Sequence, residues 1–279
     1  MLKINLFDKE FKHYATADGN FSMTDGKSPS YFRYTIENYN WDGMTIFTNR
    51  MLYEAPKVKS KYKVAVLMET RGNSNAFKEY QKYKKYFDFV LTNDNILIDK
   101  YSPHVKFKPC GGSWIDRSNY KIYEKNKLVC MLISNKKQLE GHILRHNIFH
   151  HFHDSNLINF FGTGVNRPFD NKLLVTPNYY YQIVVENVRT KFLFSEKLLD
   201  ALAVGSIPIY RGATTVGDFF DKRGIITFNT INELSSILKS ISISDYGQRK
   251  EFIQSNMKKM LEYDIPEDWM YLNYFKNML

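Results

Sequence analysis

The sequence predicts an α/β protein of two parallel-sheet domains facing a cleft, and three observations carry that prediction. Short apolar, β-rich runs alternate with helix patterns through most of the chain, the arrangement that builds parallel sheets. Tyr181–Gly212 reads as strand, loop, helix, strand, which is a complete βαβ unit. The 279 residues suffice for two modest domains and exceed a typical single small core. We expect a first domain over 1–124, a second over 125–265 and a terminal helix over 266–279.

The opening segment is polar and aromatic and receives no assignment. From Lys61 to Pro109 the pattern is β-α-β, beginning with the run KYKVAVLMET and continuing, after a loop at Arg71–Ser74, to the apolar Tyr86–Leu91. Polar residues over 115–126 read as a linker. A strand follows at Lys127–Ser134, then a helix around Gln138–Phe152 and a strand near Leu157–Phe161. In the central unit Tyr181–Glu186 is a strand and Ser195 an N-cap. Leu198, Leu199 and Leu202 recur at helical spacing, Gly205 stops the helix, and Ile207–Tyr210 is a second buried strand. A strand at Ile225–Phe228, a helix at Ile231–Ile241 and helical Gln248–Leu279, interrupted at Pro266, complete the chain.

The formal net charge of +10 invites a nucleic-acid or membrane partner. Neither is expected, because the basic residues are spread out and interleaved with Tyr and Phe at positions a core would also use. No stretch is apolar for the roughly 18 residues a membrane span needs, and MLKINLFDKE lacks a signal-peptide core. A soluble, cytoplasmic protein of a bacterial or viral-host cytosol is therefore expected. Cys110 and Cys130 have no metal-type spacing and read as free thiols. His142, His146 and His150 recur at i, i+4 and i+8, yet they lack a convergent further ligand, so a polar helix face is favoured over a metal site. Asn93-Asp94-Asn95 has one carboxylate where a sugar-transfer metal motif would need two. Tyr181 in the Tyr179–Tyr181 run is read as core rather than as a base-stacking residue, and Gly111-Gly112 as a turn.

Chemistry concentrates in the central unit. Ligands of a parallel βαβ unit collect beyond the carboxyl ends of the strands, where a helix N-terminus favours phosphate. Asn187, Ser195, Glu196 and Lys197 would all lie there. Lys197 suits neutralising phosphate, and Glu196 suits accepting hydrogen bonds from sugar or ribose hydroxyls. Solvated first-turn residues of an ordinary helix are the plain alternative for an isolated Ser-Glu-Lys.

The wider spacing, from Glu186-Asn187 through Ser195-Glu196-Lys197 and Asp200-Ala201-Leu202 to Gly205, Ile207-Pro208-Ile209 and Gly212, resembles the donor-binding signature of the family 10 α-1,3/1,4-fucosyltransferases. The register fits without a gap. Val185, Val188, Phe192 and Leu193 depart from the family's Phe, Ser, Asp and Tyr, and Leu193 puts the donor's identity in doubt because the family Tyr helps hold the nucleotide. Two weaker echoes lie upstream. KLVCMLISNK, with the helix after it, resembles the family segment whose Arg contacts the donor pyrophosphate, which implies Arg145. The run KYKVAVLMET resembles the strand that ends near the catalytic carboxylate, which implies Glu69.

The resemblance implies two Rossmann-like domains of the GT-B glycosyltransferase type, with the terminal helix crossing back to the first domain. It implies an inverting transfer, α-1,3-fucosylation of a glycan acceptor from GDP-fucose. Glu69 would be the base that takes the acceptor proton. Arg145, Asn187, Ser195, Glu196 and Lys197 would hold the donor, with Arg145 and Lys197 balancing charge on the departing diphosphate. Glu186 and Gly212 would support the loop. No cofactor is then required, although a divalent metal would be compatible as a stimulant. A transferase using another nucleotide sugar, and a non-catalytic glycan- or nucleic-acid-binding protein on the same fold, are the alternatives.

Overall fold

In the computed structural model, which describes residues 2–9, 20–24, 26–68 and 76–279, the chain forms two units, Met1–Gly112 with Glu262–Leu279, and Ser113–Leu261. These limits differ from the 124/125 and 265/266 that composition suggested. Residues 113–126 belong to the second unit because tertiary bonds hold them there. Ser113 Oγ and Trp114 N donate to Asp200 Oδ1 at 2.7 and 2.8 Å, and Lys125 Nζ donates to the Val204 carbonyl at 2.9 Å. At the other limit Asp264 is held in the first unit by a buried ion pair with Lys27 at 2.6 Å.

The first unit is a parallel sheet ordered β2-β1-β3-β4-β5-β6. Its strands are β1 (Leu2–Phe7), β2 (Phe32–Ile36), β3 (Met44–Thr48), β4 (Tyr62–Leu67), β5 (Phe89–Thr92) and β6 (Val105–Phe107). Helices α1 (Ala76–Tyr83) and α2 (Asn95–Tyr101) follow β4 and β5. Both faces are covered, so the strands alternate between two apolar cores rather than between core and water. Ala65 and Leu67 enter one core with Phe47 and Tyr80, while Val64 and Val66 enter the other with Phe32 and Ile46. The unassigned opening segment thus supplies the strands β1 to β3. Asp94 is the N-cap of α2, its side chain accepting from Leu97 N at 2.8 Å, and this local role accounts for the Asn-Asp-Asn triplet.

The second unit is a parallel sheet ordered β11-β10-β9-β7-β8. Its elements are β7 (Lys127–Leu132), α3 (Glu140–Phe152), β8 (Asn159–Phe161), β9 (Tyr179–Val185), α4 (Glu196–Ala203), β10 (Ile207–Arg211), β11 (Ile226–Thr227), α5 (Ile231–Ser240), α6 (Ile243–Gln248) and α7 (Lys250–Met260). Met131, Ile183 and Ile209 from three adjacent strands pack with Ile148 and Phe152 of α3 and Leu234 and Leu238 of α5. Tyr181 is fully buried in that core, and its hydroxyl donates to Asp245 Oδ2 at 2.7 Å. The chain winds outward from β7 through α3 to β8, and from β9 through α4 to β10 on the other side. The strand order therefore reverses between β7 and β9.

The last helix, α8 (Pro266–Met270), belongs to the first unit, with Pro266 at its start and the break in the preceding helix at 261–265. Met270 and Phe275 join the core containing Phe32. Glu267 is fully buried, and its Oε1 accepts from Met23 N at 2.6 Å. Burial pushes its carboxyl from a usual 4.5 up to about 7, with the Met23 bond and Lys108 opposing the shift. The folded state therefore holds this proton more tightly than the unfolded one, so its contribution to stability falls as pH rises from about 4.5 to 7. Glu267→Gln is expected to flatten that slope and to exceed the wild type at pH 8 by on the order of 2 kcal/mol, read from urea unfolding across pH.

Candidate donor site

The site is built at the point where the sheet order reverses, beyond the carboxyl ends of β7 and β9, where open parallel sheets bind ligands. Val185 ends β9, and the next residues, Glu186 and Asn187, turn toward the helices on either side. Glu186 is 1% exposed and uses both carboxylate oxygens on one residue: Oε1 accepts from Ser195 N at 2.9 Å and Oε2 from Ser195 Oγ at 2.6 Å. It thereby fixes the turn that starts α4. Ser195 Oγ also accepts from Lys197 N at 3.4 Å as the N-cap, so the sequence signal for the helix start is realised locally.

Lys197 Nζ reaches 2.7 Å from Glu196 Oε1, 3.2 Å from Ser195 Oγ and 3.9 Å from Glu186 Oε2. Burial lowers its pKa, but Glu196 and Glu186 outweigh that and leave it raised, so the ammonium stays charged. For Glu196, burial pushes the carboxyl up. The charges of Lys197 and Lys172 and hydrogen bonds from Lys197 and Ser195 prevail and hold it at about 2. Glu186 differs: burial raises its carboxyl above the usual range, with Lys197 only partly offsetting this. The two neighbouring carboxylates are thus pushed in opposite directions.

Arg145 projects from α3 into the same place. It is 5% exposed, donating from Nε and Nη2 to the Val185 carbonyl at 3.0 and 2.6 Å and from Nη2 to Asn187 Oδ1 at 2.8 Å. Burial lowers its pKa, with Glu186 and Glu196 opposing, and a guanidinium so bonded remains a cation. Arg145 therefore lies on the buried face of α3, not on an exposed one. His142 and His146 are buried on the inner side of α3, whereas His150, His151 and His153 are exposed. The helical spacing therefore does not gather them, and among the described residues no group of three His, Cys, Asp or Glu side chains could hold a metal.

Two glycines permit this crowding. A Cβ at Gly141, in the first turn of α3, would sit 1.8 Å from the Glu186 carbonyl oxygen, while Gly141 N donates to the Asn187 carbonyl at 2.9 Å. At Gly212, just beyond β10, a Cβ would lie 2.4 Å from Glu186 Cγ and 2.2 Å from the Tyr210 hydroxyl. Glu186 can occupy its position only because position 212 has no side chain.

A cavity of about 260 Å³ opens at this point, lined by Arg145, Glu196 and Lys197 together with Phe169, Lys172 and Gln182. Arg145, Asn187, Ser195, Glu196, Lys197, Glu186 and Gly212 are accordingly brought together. Glu69 lies outside the described residues. Sequence reading missed Gly141, Gln182 and the pair Lys172–Asp200. Asp200 is 1% exposed, and Lys172 Nζ donates to its Oδ2 while lying 4.7 Å above the Trp114 ring. A lone acid among Leu198, Leu199, Ala201 and Leu202 is the signal that could have revealed it. Leu193, where the fucosyltransferase signature has Tyr, is a 3%-exposed core residue whose carbonyl accepts from the Tyr210 hydroxyl at 3.1 Å.

No family model matches the chain. A stretch of 76 residues is 32% identical to an α-(1,4)-fucosyltransferase of Arabidopsis thaliana, covering 26% of this chain and 19% of that protein. The match thus spans about a fifth of the relative's length. Among solved structures the chain is similar to an α1,3-fucosyltransferase with GDP-fucose, at 12% identity and a TM-score of 0.58 over 94% of this chain and 88% of that one. It is also similar to Anabaena HepE in complex with UDP, at 10% identity and a TM-score of 0.56 over 85% of this chain and 78% of that one. The protein has an α/β fold with parallel sheets, that of the GT-B glycosyltransferases. Among the described residues no helix is long and apolar enough to cross a membrane.

Proposed function

We propose that the chain is an inverting glycosyltransferase that moves fucose from GDP-fucose to a glycan hydroxyl. One observation carries this reading: two cations, the buried Arg145 and the half-buried Lys197, come from different helices to one cavity at the helix N-terminus beyond β9. That combination suits a diphosphate, whose charge two converging cations and a helix start can balance. Support for fucose comes from the local identity to a plant fucosyltransferase and the gap-free register of Glu186-Asn187, Ser195-Glu196-Lys197 and Ile207-Pro208-Ile209.

In this mechanism the acceptor hydroxyl attacks the anomeric carbon from the face opposite the diphosphate, and its proton passes to a carboxylate, for which we propose Glu69. The bond from the anomeric carbon to the diphosphate breaks, and the electron pair leaves with GDP. Lys197, Arg145 and the N–H groups at the start of α4 stabilise the charge that gathers there. Glu196, ionised at neutral pH, accepts from donor hydroxyls, and Asn187 from its place beside Arg145 contacts the ribose region. Glu186 orients the turn. No metal is required for diphosphate departure in this scheme, and one would act at most as a stimulant.

A different nucleotide sugar is the second reading, favoured by one observation: at position 193 a buried leucine stands where the resembled family has a nucleotide-binding tyrosine. The test is a transfer assay with a panel of GDP- and UDP-sugars and glycan acceptors, with NMR assignment of the product's anomeric configuration. The proposal expects turnover with GDP-fucose and inversion, and expects Glu69→Gln to keep donor affinity while losing transfer by ~100-fold or more. Turnover with another donor alone would discard fucose; retention would discard the mechanism. Donor binding with full activity in Glu69→Gln would discard that residue as base.

A further inference from the structure

Gln182 occupies the middle of β9, the central strand, where the sheet fixes it between Cys130 of β7 and Pro208 of β10 in register. It is 4% exposed, and among the described residues its Oε1 finds no hydrogen-bond partner. Buried acceptors are rarely left so, because desolvation of the carbonyl is then uncompensated. Gln182 lines the same cavity as Arg145 and Lys197, beside the apolar side chains of Leu132, Phe169 and Val184. The cavity therefore joins a charged side, where Arg145, Lys172 and Lys197 meet Glu196 and Asp200, to an apolar side that carries one unmatched acceptor.

That chemistry discriminates between the two rings a sugar nucleotide could place there. A hexose would bring several hydroxyls against Leu132, Phe169 and Val184, and most would lose their hydrogen bonds. A nucleobase has apolar faces and a polar edge, so it can lie against those walls while donating one N–H to the orphan oxygen. The carboxamide NH₂ of the same side chain is a donor that can pair with a carbonyl on the same base edge. Guanine and uracil both carry a ring N–H beside a carbonyl. We propose that Gln182 is a specificity-determining residue that reads the N–H edge of the donor's nucleobase in this cavity. The proposal rests on the donor-site reading above.

Calorimetric titration of GDP, UDP and inorganic pyrophosphate into the wild type, Gln182→Leu and Lys197→Ala separates the two. Leucine fills similar volume and removes the orphan acceptor, so the variant should fold, with Gln182→Met as a less branched substitute checked by thermal unfolding. The expected result is that the wild type binds at least one nucleoside diphosphate more tightly than pyrophosphate. Gln182→Leu should then weaken that nucleotide about tenfold or more and leave pyrophosphate unchanged, while Lys197→Ala weakens both. Unchanged nucleotide affinity in folded Gln182 variants, or wild-type binding of nucleotide no tighter than pyrophosphate, overturns the inference and leaves the diphosphate site standing. Failure of all three ligands to bind the folded wild type overturns the donor-site reading itself.

Discussion

Lys197→Ala is expected to weaken GDP binding by roughly a hundredfold and to lower the rate of transfer by about 10²- to 10³-fold. The site holds three cations, Arg145, Lys172 and Lys197, against three acids, Glu186, Glu196 and Asp200. Removing Lys197 takes the ammonium from 2.7 Å beside Glu196 and leaves that carboxylate, partly buried at 18% side-chain exposure, next to an incoming diphosphate. The carboxyl then loses the neighbour that does most to hold it at about 2, and its pKa climbs toward the usual range. Affinity for GDP should consequently recover in part as pH falls below about 5 in Lys197→Ala, as the carboxyl takes up a proton. The wild type, whose Glu196 stays ionised there, should show no such recovery. Lys197→Arg keeps the charge and should retain more affinity than Lys197→Ala, since its geometry alone is changed.

Asp200→Ala is expected to be the most damaging to stability, by about 3–5 kcal/mol in urea unfolding, because it removes one partner from a buried charged network. Asp200 accepts from Ser113 Oγ and Trp114 N and pairs with Lys172, which also stacks over the Trp114 ring. Truncation leaves the Trp114 N–H and the Lys172 ammonium without this partner, and it loosens the hold of α4 on the segment before β7 and on the one before β9. Asp200→Asn retains an acceptor for Ser113 and Trp114 and surrenders only the ionic part, so it should cost distinctly less. Equal losses for the two variants would show that the hydrogen bonds contribute little and the charge pair nearly everything.

The elements that local chemistry determines were legible in the sequence. Ser195 caps α4, the leucines of that helix face the core, and β9 and β10 flank it in parallel register. Glu196 and Lys197 of this unit meet Arg145 of α3 at one cavity because a βαβ unit brings strand ends and helix starts together by its topology. What escaped depends on contacts distant in sequence. Ser113 and Trp114, between the Gly111-Gly112 turn and the linker read over 115–126, carry no sequence signal, yet Asp200, far along the chain, claims them. The strands β1 to β3 lay unrecognised in a polar aromatic segment, since Asn5 and Thr45 interrupt their apolar runs and are satisfied only by partners distant in sequence, Asn5 Nδ2 donating to Thr45 Oγ1 at 3.1 Å and to the Asn38 carbonyl at 2.7 Å. Gly141 drew no notice for the same reason: only the folded chain brings the Glu186 carbonyl within 1.8 Å of where its Cβ would be. The histidines of α3, read as a polar helix face, divide instead into buried His142 and His146 and exposed His150, because helical periodicity places residues on a face without specifying whether that face meets solvent.

On the proposed function, the cavity where the second sheet reverses its strand order binds a nucleoside diphosphate. A crystal structure with GDP tests it most directly. The diphosphate is expected within hydrogen-bonding distance of Lys197 Nζ and the Arg145 guanidinium, at the N-terminal end of α4. GDP bound elsewhere on the chain, or a folded protein that takes up no GDP at millimolar concentration, would contradict it.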